Sequence, residues 1–235
     1  MSDIFETLLL LALPASGKSE TRKFLTEKDP KGFHMGPTIQ LDDYPYVHLQ
    51  IRTDEVMNEL GHEQLFHNPD NESQRNGPFK DSREIAGLIH LLNDDYAELV
   101  RGEAERPEKA ARRLFERFDV ASTAVGAPAK FKSMSEDLLG QLENALEDEA
   151  QKHFNEKAEN VPASLNGKTV VIEFARGGPP GDEWPLPEGY GYLGSLPQLS
   201  KEILETCAIL YIWVTPEESR RKNRERARPD GAGSI

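Results

Sequence analysis

The eight residues Ala12-Leu13-Pro14-Ala15-Ser16-Gly17-Lys18-Ser19 hold the most chemistry per residue in the chain. Gly17 has no Cβ, so the main chain can approach an anion closely there. Successive N–H groups in such a turn converge on phosphate oxygens. A helix opening just after it adds partial positive charge at the same point. Lys18 is placed to reach the β- and γ-phosphates of a nucleotide, and the Ser19 hydroxyl to coordinate Mg²⁺. The run fits the phosphate-binding loop pattern, with Ala12 where the first glycine usually stands. Pro14, Ala15, Ser16, Gly17, Lys18, Ser19 and Glu20 are the expected contacts of ATP or another nucleoside triphosphate.

Three further groups could complete such a site. Asp42-Asp43 closes a short apolar run, at the end of a strand where ligands of parallel sheets bind. One of the two carboxylates could position an attacking hydroxyl, or hold Mg²⁺ through water. Asp before Tyr-Pro equally suits a turn or a helix cap. Glu173 ends the run Val170-Val171-Ile172, where a buried acid is costly without a partner, and is a second candidate for Mg²⁺ or for base duty. Arg176, three residues on, could meet substrate or phosphate, or pair with Glu173. The stretch Arg220 to Arg228 carries six cations. Arg220 and Arg224 share a helix face, suited to clamping phosphoryl oxygens or to lying in solvent.

Tyr190 and Tyr192, with Trp184, lie in a Gly-rich segment and could stack on a base or sugar, or simply pack the loop. The six histidines show no metal-ligand spacing, and His62 and His67 are read as surface residues.

These groups need a framework. Phe5–Leu13 is expected to be a buried strand of a parallel sheet, and Ser19–Glu27 a helix. Thr38–Leu41, Thr169–Phe174 and Ala208–Val214 are further strands, and Leu199–Thr206 and Glu217–Arg228 are helices. Residues 1–55 and 161–235 are expected to form the nucleotide-binding core, with residues 56–160 a helical insertion. Within it Gly61–Gly77 reads as irregular loop. Ile85, Leu88, Ile89, Leu92, Tyr96 and Leu99 mark an amphipathic helix over 82–102. Pro107 starts a second, with Ala111, Leu114, Phe115 and Phe118 on one face. Ser135 caps a third, with apolar Leu138, Leu139, Leu142, Ala145 and Leu146, and with Glu143, Glu147, Asp148 and Glu149 solvated. Arg176–Ser195 reads as loop.

The chain has 235 residues, 29% of them charged, with a net charge of −13. Its mean hydropathy is −0.62. An acidic surface repels nucleic-acid backbones, which argues against nonspecific duplex binding. A single cysteine, Cys207, allows no internal disulfide and is read as a small buried side chain. No stretch reaches the length of a membrane span, and the acidic start Met1-Ser2-Asp3 lacks signal-peptide character. A cytoplasmic location is the expectation.

In order along the chain, these motifs resemble the P-loop kinases of nucleosides and nucleotides. Leu41-Asp42-Asp43-Tyr44 is similar to the Asp-Asp-aromatic segment of uridine and nicotinamide riboside kinases, where an aspartate serves as base for a sugar hydroxyl. It equally resembles the Asp-Asp-Tyr of 5′-hydroxyl polynucleotide kinases, whose loop is similar to Pro14–Ser19. Their lid is similar to the Arg221–Arg226 stretch. The resemblance implies a doubly wound α/β P-loop fold with Lys18, Asp42, Asp43, Glu173, Arg220 and Arg224 in catalysis. Ser19, Asp42 and Glu173 would face Mg²⁺, and Arg176, Tyr190 and Tyr192 the acceptor. It covers about half the chain; the helical insertion matches no part of the family. The family pattern also places a fifth strand and a closing helix after the lid, for which few residues follow Arg228. The expected activity is ATP- and Mg²⁺-dependent phosphorylation of a small acceptor bearing a hydroxyl or phosphate. A nucleotide-driven switch with a protein partner on the insertion, a 5′-hydroxyl polynucleotide kinase, and a binding module without turnover are the alternatives.

Overall fold

The computed structural model describes residues 4–69, 76–178, 185–186 and 189–226. In chain order the elements are β1 (Thr7–Ala12), α1 (Lys18–Glu27), β2 (Thr38–Asp42), α2 (Tyr44–Glu59), β3 (His67–Pro69), β4 (Asn76–Phe79), α3 (Glu84–Arg101), α4 (Ala110–Ala124), α5 (Glu136–Asn160), β5 (Thr169–Ala175), α6 (Gly191–Ser195), α7 (Lys201–Thr206), β6 (Cys207–Ile212) and α8 (Pro216–Arg226). They fall into two compact units. One comprises Met1–Asp42, Ser164–Gly178 and Ser200–Ile235, the other Asp43–Ala163 and Pro179–Leu199.

The first unit is built on a four-stranded sheet of order β2-β5-β1-β6. Every pairing in it is parallel. This is the α/β class, with a central parallel sheet and helices. The pattern of burial follows from position. β1 is buried along its whole length, and β5 is buried up to its last residue, as expected of central strands without alternation. Leu9, Leu10, Val171 and Ile172 are fully enclosed, and each such side chain contributes roughly 1.5–3 kcal/mol on burial. Leu8, Leu10, Met35 and Val171 form a core to which Leu25, Phe33 and Leu210 add.

β6 departs from the expectation of a buried apolar strand. It is an edge, and Ile209, Tyr211 and the following Trp213 are 57%, 45% and 74% exposed. Cys207 at its start is half-buried rather than buried. Burial still raises the pKa of its thiol.

In the second unit, α2, α3, α4 and α5 enclose an aromatic-rich core of Tyr46, Phe66, Phe115, Phe118, Phe131 and Phe154. The rings of Phe115 and Phe131 stack at 4.3 Å. α3 follows the anticipated apolar spacing and ends on Gly102, whose φ of 69° needs no Cβ penalty. Ser135 caps α5 by accepting the Leu138 amide at 3.3 Å. Along α5, Leu139, Leu142 and Leu146 are buried while Ala145 is exposed.

Four expectations are corrected here. α2 is a helix where the sequence was read only as a turn or helix cap at Asp42–Pro45, with no helix assigned beyond it. Tyr46, Leu49, Val56 and Met57 bury its inner face, and Pro45 sits in its first turn, where the missing N–H costs nothing. This packing puts the whole of α2 in the second unit. The segment 61–77 contains an antiparallel pair, β3 with β4. His67 is buried rather than exposed. Its Nδ1 lies 2.8 Å from Asp54, which also accepts the amides of Leu65, Phe66 and His67. Finally, the acidic side of α5 is engaged rather than merely solvated. Glu147 accepts the first two amides of α4, Ala110 at 2.7 Å and Ala111 at 3.0 Å. Glu143 pairs with Arg112, and Glu149 with Arg52.

Asp95 is the charged centre of this unit. It is 5% exposed and accepts from the Tyr46 hydroxyl, Arg117 and Lys157. Burial opposes its charge, but Arg117 and Lys157 outweigh burial and hold the carboxyl below its usual range. Nearby His153 is pushed down to about 4, chiefly by burial.

Candidate functional site

The loop from Leu13 to Gly17 joins the carboxyl end of β1 to α1. Two of its residues take left-handed backbone, Ala15 at φ 55° and Gly17 at φ 89°. Alternating hands of this kind turn successive N–H groups inward to form an anion-binding nest. A non-glycine residue at positive φ is uncommon, and Ala15 stores a little strain for that geometry. Gly17 caps α1 without any side-chain hydrogen bond to its first amides. No atom lies within 4 Å of the position a Gly17 Cβ would take. Lys18, Ser19 and Glu20 form the first turn of α1.

The loop is braced from the far end of the chain. The Ser219 hydroxyl, on α8, donates to the Pro14 carbonyl at 2.6 Å. Ser219 is buried. Sequence reasoning missed this residue, since a serine flanked by Glu218 and Arg220 looks like surface.

The two expected acids of the sheet are neighbours. Asp42 on β2 is in register with Glu173 on β5, and Glu173 with Leu10 on β1. Registered neighbours in a parallel sheet project to the same face, so these carboxylates stand side by side. Glu173 is 2% exposed. Its cation is Arg22 of α1, with Nε 2.6 Å from Oε1. Arg176 is the partner that sequence spacing offered. It is buried, donates from Nη1 to the Ala175 carbonyl at 2.8 Å, and lies over the Phe174 ring. The signal for Arg22 was present but weak: one turn after Lys18 on the same helix face, in a mostly polar helix.

Asp43 belongs to the second unit. It is buried there, and its carbonyl accepts the amides of Tyr46 and Val47 at the start of α2. Tyr190 and Tyr192 are half-buried, also in the second unit, at and just inside the start of α6. The segment read as loop therefore includes a short helix. Trp184 and Arg228 lie outside the described residues.

Arg220 and Arg224 are exposed on α8. Neither has an ion-pair partner among the described residues. Arg221 between them is held by Glu218 at 2.7 Å and Glu225 at 2.5 Å. Those contacts keep Arg221 charged and push the Glu218 carboxyl down to about 2, its hydrogen bond with Arg221 being the largest cause.

Among the described residues no group of three or more His, Cys, Asp or Glu could hold a metal ion unaided. Fewer protein ligands suit Mg²⁺, which keeps several waters and takes one or two carboxylates plus phosphate oxygens. Ser19, Asp42 and Glu173 supply donors of that kind. Glu173 Oε1 is buried against Arg22 Nε at 2.6 Å. The donor types present fit a magnesium ion carried in with a polyphosphate once that contact opens.

Comparison of the chain with protein-family models, with curated proteins and with solved structures gives no match to any of them. Among the described residues no helix is long and apolar enough to cross a membrane.

Proposed function

We propose that the first unit is a P-loop phosphotransferase core that binds ATP, or another nucleoside triphosphate, with Mg²⁺ and passes the γ-phosphoryl group to a small hydroxyl- or phosphate-bearing acceptor, most plainly a nucleoside or nucleotide. One observation carries this reading: a loop with left-handed Ala15 and Gly17 at the end of a buried parallel strand, in a sheet that carries two registered carboxylates. The loop amides grip the β-phosphate, and Lys18 neutralises charge that builds on the β- and γ-oxygens. Ser19, Glu173 and, through water, Asp42 would hold Mg²⁺, which would supply further charge neutralisation. Asp42 would alternatively accept the proton of the attacking hydroxyl. Arg220 and Arg224 supply charge for the transferring group from a helix whose first turn is tied to Pro14.

The test is direct. Lys18→Ala is expected to lower ATP affinity at least tenfold in calorimetry and to abolish ADP release, with an unchanged circular dichroism spectrum. Wild-type ADP release is expected to rise with one member of a panel of nucleosides, nucleotides and 5′-hydroxyl oligonucleotides. Absence of nucleotide binding by the wild type would refute the reading. Acceptor-independent release stimulated by a protein would replace it with a nucleotide-driven switch.

A further inference from the structure

β6 differs from the other strands of its sheet. β1 is buried throughout, β5 nearly so, and no residue of β2, at the opposite edge, is exposed. Along β6 exposure alternates. Ala208, Leu210 and Ile212 pack on the core of the first unit. Ile209, Tyr211 and, just past the strand, Trp213 are exposed. Ile209 is in register with Leu9 and Tyr211 with Leu11, so these four side chains share one face of the sheet. Leu9 and Leu11 are enclosed, so the cover over that face ends between β1 and β6. Among the described residues β6 pairs with β1 alone. An edge strand offers alternate N–H and C=O groups to any strand beside it, and proteins blunt such edges with charge, proline or a bulge. From Cys207 to Thr215 there is no charged residue and no proline. The pairing with β1 runs in unbroken register from Cys207 to Ile212, without a bulge.

We propose that the edge of β6 is an interface between two copies of this chain, which pair β6 with β6 antiparallel about a two-fold axis and join their four-stranded sheets into one. Charge selects a second copy. In a two-fold contact the same patch lies on both sides, so like charges meet unless the patch is uncharged. β6 meets that condition in a chain of net charge −13. Topology sets the number of copies. β2 has no exposed residue and ends on Asp42, so the pairing closes at two rather than growing edge to edge. A two-fold along the sheet normal keeps the faces of the sheet in place. The exposed rows of the two copies then lie side by side and cover each other, with Trp213 as the aromatic anchor. Antiparallel pairing also turns the start of each strand toward the end of the other. Exposed Glu202 and Glu205 on α7 lead into β6. α8, which follows it, carries five cations against three acids. The two ends are complementary in charge.

The experiment is analytical ultracentrifugation of the full chain without nucleotide. A ladder of six residues a side makes a small interface, so a dissociation constant on the order of micromolar is expected. The average mass should climb from 26.4 kDa toward twice that value as concentration rises from about 1 to about 200 µM. Ile209→Lys and Trp213→Lys each set like charges near the axis and are expected to weaken the dimer at least tenfold. Both positions are exposed in the single chain, so the circular dichroism spectrum should not change. In hydrogen exchange, the amides of β6 should gain protection as concentration rises, and those of β2 should not. A monomer at every concentration overturns the proposal and leaves the edge to a segment of another protein. Growth beyond two copies overturns the closed two-fold form. A dimer that both lysine variants leave unweakened, or protection gained at β2 instead of β6, overturns the placement on this edge. Should a lysine variant fail to fold, the wild-type mass and exchange pattern decide.

Discussion

At the scale of single residues, the proposed phosphate cradle depends on backbone shape rather than side-chain contact. Gly17 has φ 89° and open space where a Cβ would project. Gly17→Ala therefore meets no clash, and its stability cost is the left-handed penalty, roughly 1–2 kcal/mol. On the proposed reading its larger effect falls on the ligand, since the substitution disturbs the left-handed turn of the loop that would hold phosphate. We expect ATP affinity to drop more than tenfold by calorimetry while the urea midpoint moves only slightly. A variant that unfolded outright but bound normally when folded would place Gly17 in the core rather than in a cradle. The motif Pro14–Ser19 made this site legible in one dimension, since it packs its chemistry into six consecutive residues. Glu173 was legible for a related reason: an acid ending an apolar strand needs a partner. That partner was only faintly legible, one turn after Lys18 on α1. Ser219 reaches the loop from the far end of the chain, between the polar neighbours Glu218 and Arg220.

Elements were legible where one face carried an unbroken apolar row. α3 shows this, with Ile85, Leu88, Ile89, Leu92, Tyr96 and Leu99 all buried. α2 was missed because its inner face mixes Gln50, Thr53 and Asp54 with the apolar residues, all of them buried. β3 was missed because His67-Asn68-Pro69 has no alternation, and is held through Asp54 of α2 rather than by apolar contact. The acidic run on α5 shows the same limit, since charge pattern cannot reveal a carboxylate that caps another helix. Glu147 takes both leading amides of α4. Hydrogen bonds to a charged acceptor contribute about 1.5–3 kcal/mol, and loss of a helix cap costs about 0.5–2 kcal/mol. Glu147→Ala is expected to destabilise the chain by about 2 kcal/mol in urea unfolding, with Glu147→Gln losing less. If Glu147→Ala left the midpoint in place, the capping role would be void.

On the scale of the whole molecule, the two units answer to different variables. On the proposed reading nucleotide would act on the first, where a ligand at a hundred times its Kd would stabilise by about 2.7 kcal/mol. Proton concentration acts on the second, through His153. This imidazole packs its ring 4.7 Å from that of Tyr46, and Asp95, Lys157 and Arg117 are the charges that act on it. Burial, as the largest cause, depresses its pKa to about 4 from an ordinary 6.5. Asp95 pulls the other way, while Lys157 and Arg117 reinforce the depression. The sign follows from proton counting. Between pH 6.5 and 4 the unfolded chain holds a proton on this residue that the folded chain refuses, so stability falls as pH falls across that window. The loss approaches roughly 3 kcal/mol at 1.36 kcal/mol for each pH unit. Nε2 of His153 is also buried without a hydrogen-bond partner, so an apolar ring in its place removes an unpaired polar atom as well as a titration. His153→Phe should then unfold at higher urea than the wild type at pH 4.5. Its advantage should shrink at pH 7.5, where both chains keep position 153 uncharged. A pH-independent difference between the two proteins would mean that packing alone, and not proton uptake at position 153, separates them.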